Sequence, residues 1–311
     1  MDNIICIAGP TASGKTALSV ALAKEIGGEI VSCDSMQIYR RMDIGTAKPT
    51  KEEMQGVVHH MLDVADPSED FSVSRYCEMA TPIVDDILAR GKPAIIAGGT
   101  GLYMDALIKG NTFAPYPSTG MREKLELQAD RDGMQSMLDL LNSIDPETAA
   151  RLHLKDRKRI IRALEVYYET GETISAHNRK TQQIPPRYNP YWFAIEDSDR
   201  SCLYSRIDCR VDTMIEMGLL EEIQSLLDSG ISKNCTAMQA IGYKEFVNAL
   251  SGHITVPEAI EQVKQASRHY AKRQLTWFRR NQSIHWLRRN SGDSLKKILN
   301  DLRQIVADFD K

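Results

Sequence analysis

The feature that most constrains this chain is Gly9-Pro10-Thr11-Ala12-Ser13-Gly14-Lys15-Thr16. It sits between an apolar run, Ile4 to Ala8, and a helix-forming run at 17–24. Strand, glycine turn and helix in that order are the setting in which the spacing G-x-x-x-x-G-K-[ST] acquires physical meaning. The turn lets successive backbone N–H groups converge on one anion, and the opening helix adds the positive end of its dipole. Lys15 can then rest on phosphate oxygens while the Thr16 hydroxyl ligates Mg2+. All eight residues are therefore expected to hold a phosphate chain. Such a start implies an α/β fold: a P-loop NTPase-like core with a central parallel sheet flanked by helices.

At 311 residues the chain can build one sizeable core and a second unit. No run of about 18 apolar residues occurs and the N-terminus leads straight into the first strand, so neither a membrane span nor a secretory leader is expected. Six cysteines without a C-x-x-C pair read as reduced thiols, which places the protein in the cytoplasm.

A second apolar strand at 29–33 ends at Asp34, where ligands gather beyond the carboxyl ends of parallel strands. A loop-rich stretch at 45–71 and a helix at 74–90 lead to a third strand at 93–97. That strand runs into a second glycine turn, Gly98-Gly99-Thr100-Gly101. From 113 the alternation is lost, with Pro115 and Pro117 as breaks. Residues 113–195 are expected to form an all-helical insertion into a core made of 1–112 and 196–311. A strand at 191–195 resumes the sheet. The last third reads as helical at 199–230 and 257–280, with a short strand at 284–287 and a closing amphipathic helix at 294–309. Arg206 and Arg210 fall one helical turn apart.

The net charge of −3 hides an asymmetry. Between Glu261 and Asp293 there is no acidic residue, while Lys264, Arg268, Lys272, Arg273, Arg279, Arg280, Arg288 and Arg289 alternate with Tyr270, Trp277 and Phe278. A one-sign run of this length points to RNA or another polyanion; the other reading is a basic helix packed on an acidic part of the same chain. Arg157, Lys158, Arg159 and Arg162 form a second basic knot. His59 and His60 are expected to be hydrogen-bonded structure rather than metal ligands. The third strand ends without the carboxylate that Walker-type nucleotidases place there, which weakens an ATPase reading.

Taken together, the phosphate loop, Asp34-Ser35-Met36-Gln37-Ile38-Tyr39, Gly45-Thr46-Ala47-Lys48-Pro49, Gly98-Gly99-Thr100-Gly101-Leu102-Tyr103, the segment 239–245 and Tyr270-Ala271-Lys272-Arg273-Gln274-Leu275-Thr276-Trp277-Phe278-Arg279 resemble the tRNA dimethylallyltransferases. The likeness spans nearly the whole chain, and the lack of a C-terminal zinc finger resembles bacterial members. It implies transfer of a dimethylallyl group from dimethylallyl diphosphate to N6 of adenosine-37, beside the tRNA anticodon, with Mg2+ on Thr16 and diphosphate in the glycine loop. It further implies Asp34 as the base, Thr100 holding the adenine, and Arg206 or Arg210 on the diphosphate. The anticodon stem-loop would meet Asp34, Ser35, Met36, Gln37, Thr100, Arg122, Lys158, Arg159, Arg162, Gln239, Gly242, Tyr243, Lys244, Lys272, Arg273, Arg279 and Arg280. Family members are usually monomeric, and no membrane partner is implied. A P-loop kinase of a small metabolite would use the same loop but leaves the basic helix without a task. A non-catalytic RNA-binding protein with a relic loop is the third reading.

Overall fold

The computed structural model describes residues 3–111 and 119–309. Its sheet has six parallel strands in the order β3-β2-β4-β1-β5-β6. These are β1 (Ile4–Ala8), β2 (Glu29–Ser32), β3 (His59–His60), β4 (Ala94–Gly98), β5 (Tyr191–Asp197) and β6 (Ile284–Arg289). Central strands covered on both faces read as unbroken apolar runs, and every residue of β1 is buried. Helices α1 (Lys15–Ile26), α2 (Lys51–Met54), α3 (Val73–Ala89) and α4 (Gly101–Lys109) belong to the first half. Helices α5 (Met121–Ile144), α6 (Pro146–Ala149), α7 (Arg157–Thr170) and α8 (Ile174–Gln182) fill the insertion. Then α9 (Arg200–Glu216), α10 (Leu219–Asp228), α11 (Tyr243–Leu250) and α12 (Val256–Phe278) separate β5 from β6, and α13 (Leu295–Phe309) closes the chain.

Amphipathic packing explains the layers. Leu18 and Leu22 of α1 and Ile298 and Leu302 of α13 share one core cluster with Ile5, Ile7, Phe193 and Ile195 of the sheet. Leu203 and Ile207 of α9 pack with Ala271 and Leu275 of α12. The long helix α12 starts at a full capping box, in which Thr255 accepts from the Glu258 N–H and Glu258 from the Thr255 N–H, with proline in the first turn.

The chain divides into a unit of Met1–Gly110 with Arg187–Lys311, and a second unit, Asn111–Pro186. Strand β5 resumes the sheet as expected, pairing with β1 and β6, and so lies in the core unit although the expected insertion bounds of 113–195 reached over it. Pro115, Pro117 and the expected boundary at 113 lie outside the described residues. The insertion is helical and has its own core around Leu125, Met137, Leu141, Ile160 and Leu164. The stretch 199–230 is helical as expected, in two helices broken where Gly218 takes φ 96°. One further expectation changes. His59 and His60, expected in a loop, form a two-residue edge strand on β2.

Candidate active site

The carboxyl ends of β1, β2 and β4 lie side by side, and from them rise the phosphate loop, Asp34 and the second glycine turn. Gly98 is required there, because a Cβ on it would sit 2.0 Å from the Cys33 carbonyl oxygen. Beyond these strand ends opens a cavity of about 440 Å3, lined among others by Thr11, Lys15, Thr16, Asp34, Arg210 and Tyr270. That volume is typical of a small-molecule site. Lys15 and Asp34 thus share one chamber, as the prenyl-transfer reading requires.

The loop is held from several sides. Gly14 caps α1 with φ 88°, a backbone state that glycine adopts without strain. Lys15 Nζ donates to the Pro10 carbonyl at 2.6 Å, and Ser13 is buried with no hydrogen-bond partner for its hydroxyl among the described residues. Desolvation, followed by the neighbouring Arg210 cation, pulls the Lys15 amine down to about 7, against the attraction of Asp34. Gly9, Pro10, Ala12, Ser13 and Gly14 supply backbone and do not line the cavity with Thr11, Lys15 and Thr16.

Asp34 closes a local turn: its Oδ1 accepts the Met36 N–H at 2.9 Å and the Gln37 N–H at 3.4 Å. Its other oxygen accepts no protein hydrogen bond within the described residues. Thr100 stands behind the lining. Its Oγ1 accepts the Ser35 N–H at 3.0 Å, and its own N–H donates to Cys33 O at 3.2 Å, so it fixes the backbone beside Asp34. Ser35, Met36 and Gln37 all line the cavity, with the Gln37 amide donating to the Thr46 and Ala47 carbonyls. Tyr270 enters from α12; burial, with the Asp34 charge second, pushes its hydroxyl up to about 12.

The structure separates the two candidate arginines. Arg210 lines the cavity, and burial lowers its pKa from the ordinary value, with Asp34 as the strongest opposing attraction. Arg206 does not line it. Its Nε donates to the Ala12 carbonyl at 3.0 Å and its Nη2 pairs with Asp197 at 2.5 Å, so it braces the phosphate loop from behind. Arg289, in register with Asp197 across β5 and β6, binds the same carboxylate.

The residues expected to meet RNA differ in their settings. Tyr243 is fully buried, its ring against Gly45 and its hydroxyl donating to Glu222 at 2.6 Å, so it is a wall post rather than a contact surface. Glu222 also accepts the N–H groups of Asp43, Ile44 and Gly45, tying the loop that lines the cavity to α10. Gln239, Gly242 and Lys244 line the cavity; the Gln239 amide donates to Lys233 O, and the Gly242 N–H to Glu245.

The basic run splits in two. Lys264 pairs with Asp212, Arg268 with Asp208, Arg279 with Glu196 and Arg289 with Asp197, which fulfils the intramolecular reading for that half. Lys272, Arg273, Arg280 and Arg288 are exposed and, among the described residues, have no carboxylate within ion-pair distance. Arg273 lies over the Tyr270 ring and Arg280 over Trp277, at 5.5 and 4.9 Å. In the insertion, Arg122 and Arg162 both reach Glu165, Arg159 pairs with Asp156, and Lys158 is exposed. His60 hydrogen-bonds Glu29 and His59 the Val57 carbonyl. Among the described residues no group of three or more His, Cys, Asp or Glu could hold a metal.

Comparison with known proteins decides the family. A family model described as IPP transferase matches residues 37–281. The tRNA dimethylallyltransferase of Acetivibrio thermocellus is 45% identical over 310 residues, covering 99% of each chain. The chain belongs to this family. A second tRNA dimethylallyltransferase, from Geobacillus thermodenitrificans, is 49% identical over 286 residues, 92% of this chain and 90% of the other. The full-length tRNA isopentenylpyrophosphate transferase of Bacillus halodurans superposes with TM-score 0.74 at 43% identity, covering 99% and 96%. A eukaryotic dimethylallyltransferase acting on tRNA gives TM-score 0.79 at 30% identity, covering 93% of this chain and 74% of that one. The chain is thus a transferase of the tRNA dimethylallyltransferase family. Sequence reasoning left Gln274 out of this site, although it is buried, accepts the Thr11 N–H and donates to Gly99 O. Its only signal was its place in the family motif.

Proposed function

We propose that this tRNA dimethylallyltransferase moves the dimethylallyl group of dimethylallyl diphosphate to N6 of adenosine-37, beside the tRNA anticodon, and releases diphosphate. The observation that carries the reading is one chamber lined by Thr11, Lys15 and Thr16 of the phosphate loop, a half-buried Arg210 and the Asp34 carboxylate. The bond from the allylic carbon to the diphosphate oxygen breaks with its electron pair staying on diphosphate, where Lys15, Arg210 and loop N–H groups stabilise the growing charge. The N6 lone pair forms the new C–N bond. That nitrogen then becomes acidic, and its proton passes to Asp34. An adenine must leave its stack to be reached, as in other enzymes that act on extruded bases. Ile207, Val211 and Met214 of α9 line the same chamber as Arg210 and offer an apolar bed for the prenyl chain.

The Thr16 hydroxyl, exposed at the loop's end, suits Mg2+, which keeps most of its shell as water and substrate phosphate oxygens rather than protein ligands. When bound, the ion would add positive charge at the diphosphate. Lys272, Arg273, Arg280 and Lys244 are the core's candidate tRNA contacts. Arg122, Lys158, Arg159 and Arg162 are those of the insertion. No described helix is long and apolar enough to cross a membrane, and we assign the enzyme to the cytoplasm with its tRNA substrate.

Incubation with labelled dimethylallyl diphosphate and an anticodon stem-loop RNA, beside ATP and small acceptors, tests the reading. Label is expected on the RNA. Turnover of ATP without prenylated RNA refutes it in favour of a kinase.

A further inference from the structure

We propose that Gln274 is a positioning residue that latches the phosphate loop to the second glycine turn and so sets the donor against the acceptor. The inference rests on the prenyl-transfer reading.

Gln274 is 5% exposed, and its side-chain amide sits at the meeting of two loops. Its Oε1 accepts the Thr11 N–H at 2.9 Å, and its Nε2 donates to the Gly99 carbonyl at 2.9 Å. The first bond reaches into the diphosphate cradle. The second reaches the residue before Thr100, whose hydroxyl and N–H hold the backbone on either side of Asp34. One amide therefore connects the group that grips the leaving diphosphate to the segment that carries the proton acceptor. Only an uncharged carboxamide of this length both accepts from one partner and donates to the other. Glutamate keeps the acceptor but sets a carboxylate against a carbonyl, and leucine loses both bonds.

The approach is close on the other side as well. A Cβ on Gly99 would lie 2.1 Å from Nε2, so the latch needs glycine opposite it. Thr11 N–H is spent on Gln274 and is not free for phosphate, which marks the contact as shaping the loop. Gln274 lines the cavity beside Arg273 and one turn after Tyr270, with its amide oxygen and nitrogen both engaged by backbone. A misplacement of about 1 Å between reacting groups can cost on the order of 100-fold in rate.

The test uses the full-length protein, dimethylallyl diphosphate and anticodon stem-loop RNA. For Gln274→Leu, kcat is expected to fall on the order of 100-fold, with a smaller fall for Gln274→Glu. Affinities for inorganic diphosphate and for RNA, measured separately by calorimetry and filter binding, should stay within about threefold, since both binding surfaces persist. Gly99→Ala swings the amide away and should reproduce the fall. Combined with Gln274→Leu it should add little, because both changes open one latch. An unchanged kcat in folded Gln274→Leu overturns the proposal, as does a loss that lies wholly in diphosphate affinity. If Gln274→Leu fails to fold, Gln274→Glu and Gly99→Ala decide by the same criteria. Failure of the wild-type protein to prenylate RNA refutes the functional reading instead, and is seen before any variant is compared.

Discussion

Arg206 and Arg210 occupy successive turns of α9, yet their replacement by methionine should move thermal stability in opposite directions. Arg210 is half-buried and, among the described residues, has no carboxylate within ion-pair distance, so without diphosphate the enzyme bears part of its desolvation cost. Arg210→Met removes that cost and should raise Tm by a few degrees, at about 2–4 °C per kcal/mol for a chain of this order of size. The same change removes a cation aimed at the departing diphosphate, and kcat should fall about 100- to 1,000-fold, the loss seen when one preorganised donor is deleted. Arg206→Met has the opposite profile. It breaks the bond to Ala12 O and one of the arginine contacts of Asp197, which is 4% exposed on its side chain. Stranding a buried carboxylate costs about 3–5 kcal/mol, but Arg289 remains on Asp197, so about 2 kcal/mol is expected, with Tm falling about 4–8 °C. Scanning calorimetry of the two variants, beside steady-state kinetics, measures both quantities. Equal falls in Tm, or a larger kcat loss for Arg206→Met at unchanged Tm, would refute the division of labour between the two arginines.

Asp34→Asn should lower kcat by about 100- to 10,000-fold, as for loss of a general base, while RNA affinity in filter binding changes little. Thr16→Val should raise the Mg2+ concentration needed for half-maximal turnover, read from a magnesium titration in chelator-buffered solution. Lys272→Ala and Arg280→Ala should each flatten the salt dependence of RNA binding by roughly 0.7–0.9 in log–log slope, whereas Arg279→Ala, whose charge Glu196 already balances, should do so less. Tyr243→Phe should cost about 1.5–3 kcal/mol in chemical denaturation through the lost bond to a charged carboxylate, and leave RNA affinity unchanged.

The strands and the three strand-end features were legible because local signals coincide there. Apolar runs end at Ala8, Cys33 and Ala97, and the residues that follow are glycines or an acid with no apolar task. What the sequence hid was pairing across long separations. The basic run along α12 reads as one polyanion-binding face until α9 supplies Asp208 and Asp212 and β5 supplies Glu196 and Asp197. Tyr243 sits among polar motif residues, and only the approach of Gly45 and Glu222 shows that its ring is core. Gln274 looks like one more polar residue of a charged helix, because its partners lie 263 and 175 positions away. The edge strand at His59 and His60 is too short for any alternation to register. In each case the missing information was a tertiary partner, not a local preference.

The most direct test of the account is mass spectrometry of nuclease-digested anticodon stem-loop RNA after incubation with the enzyme, Mg2+ and dimethylallyl diphosphate. The account predicts a gain of one C5H8 unit on the adenosine immediately 3′ of the anticodon, released with one equivalent of diphosphate and absent with Asp34→Asn. A gain at another nucleotide, or an undiminished gain with Asp34→Asn, would contradict it.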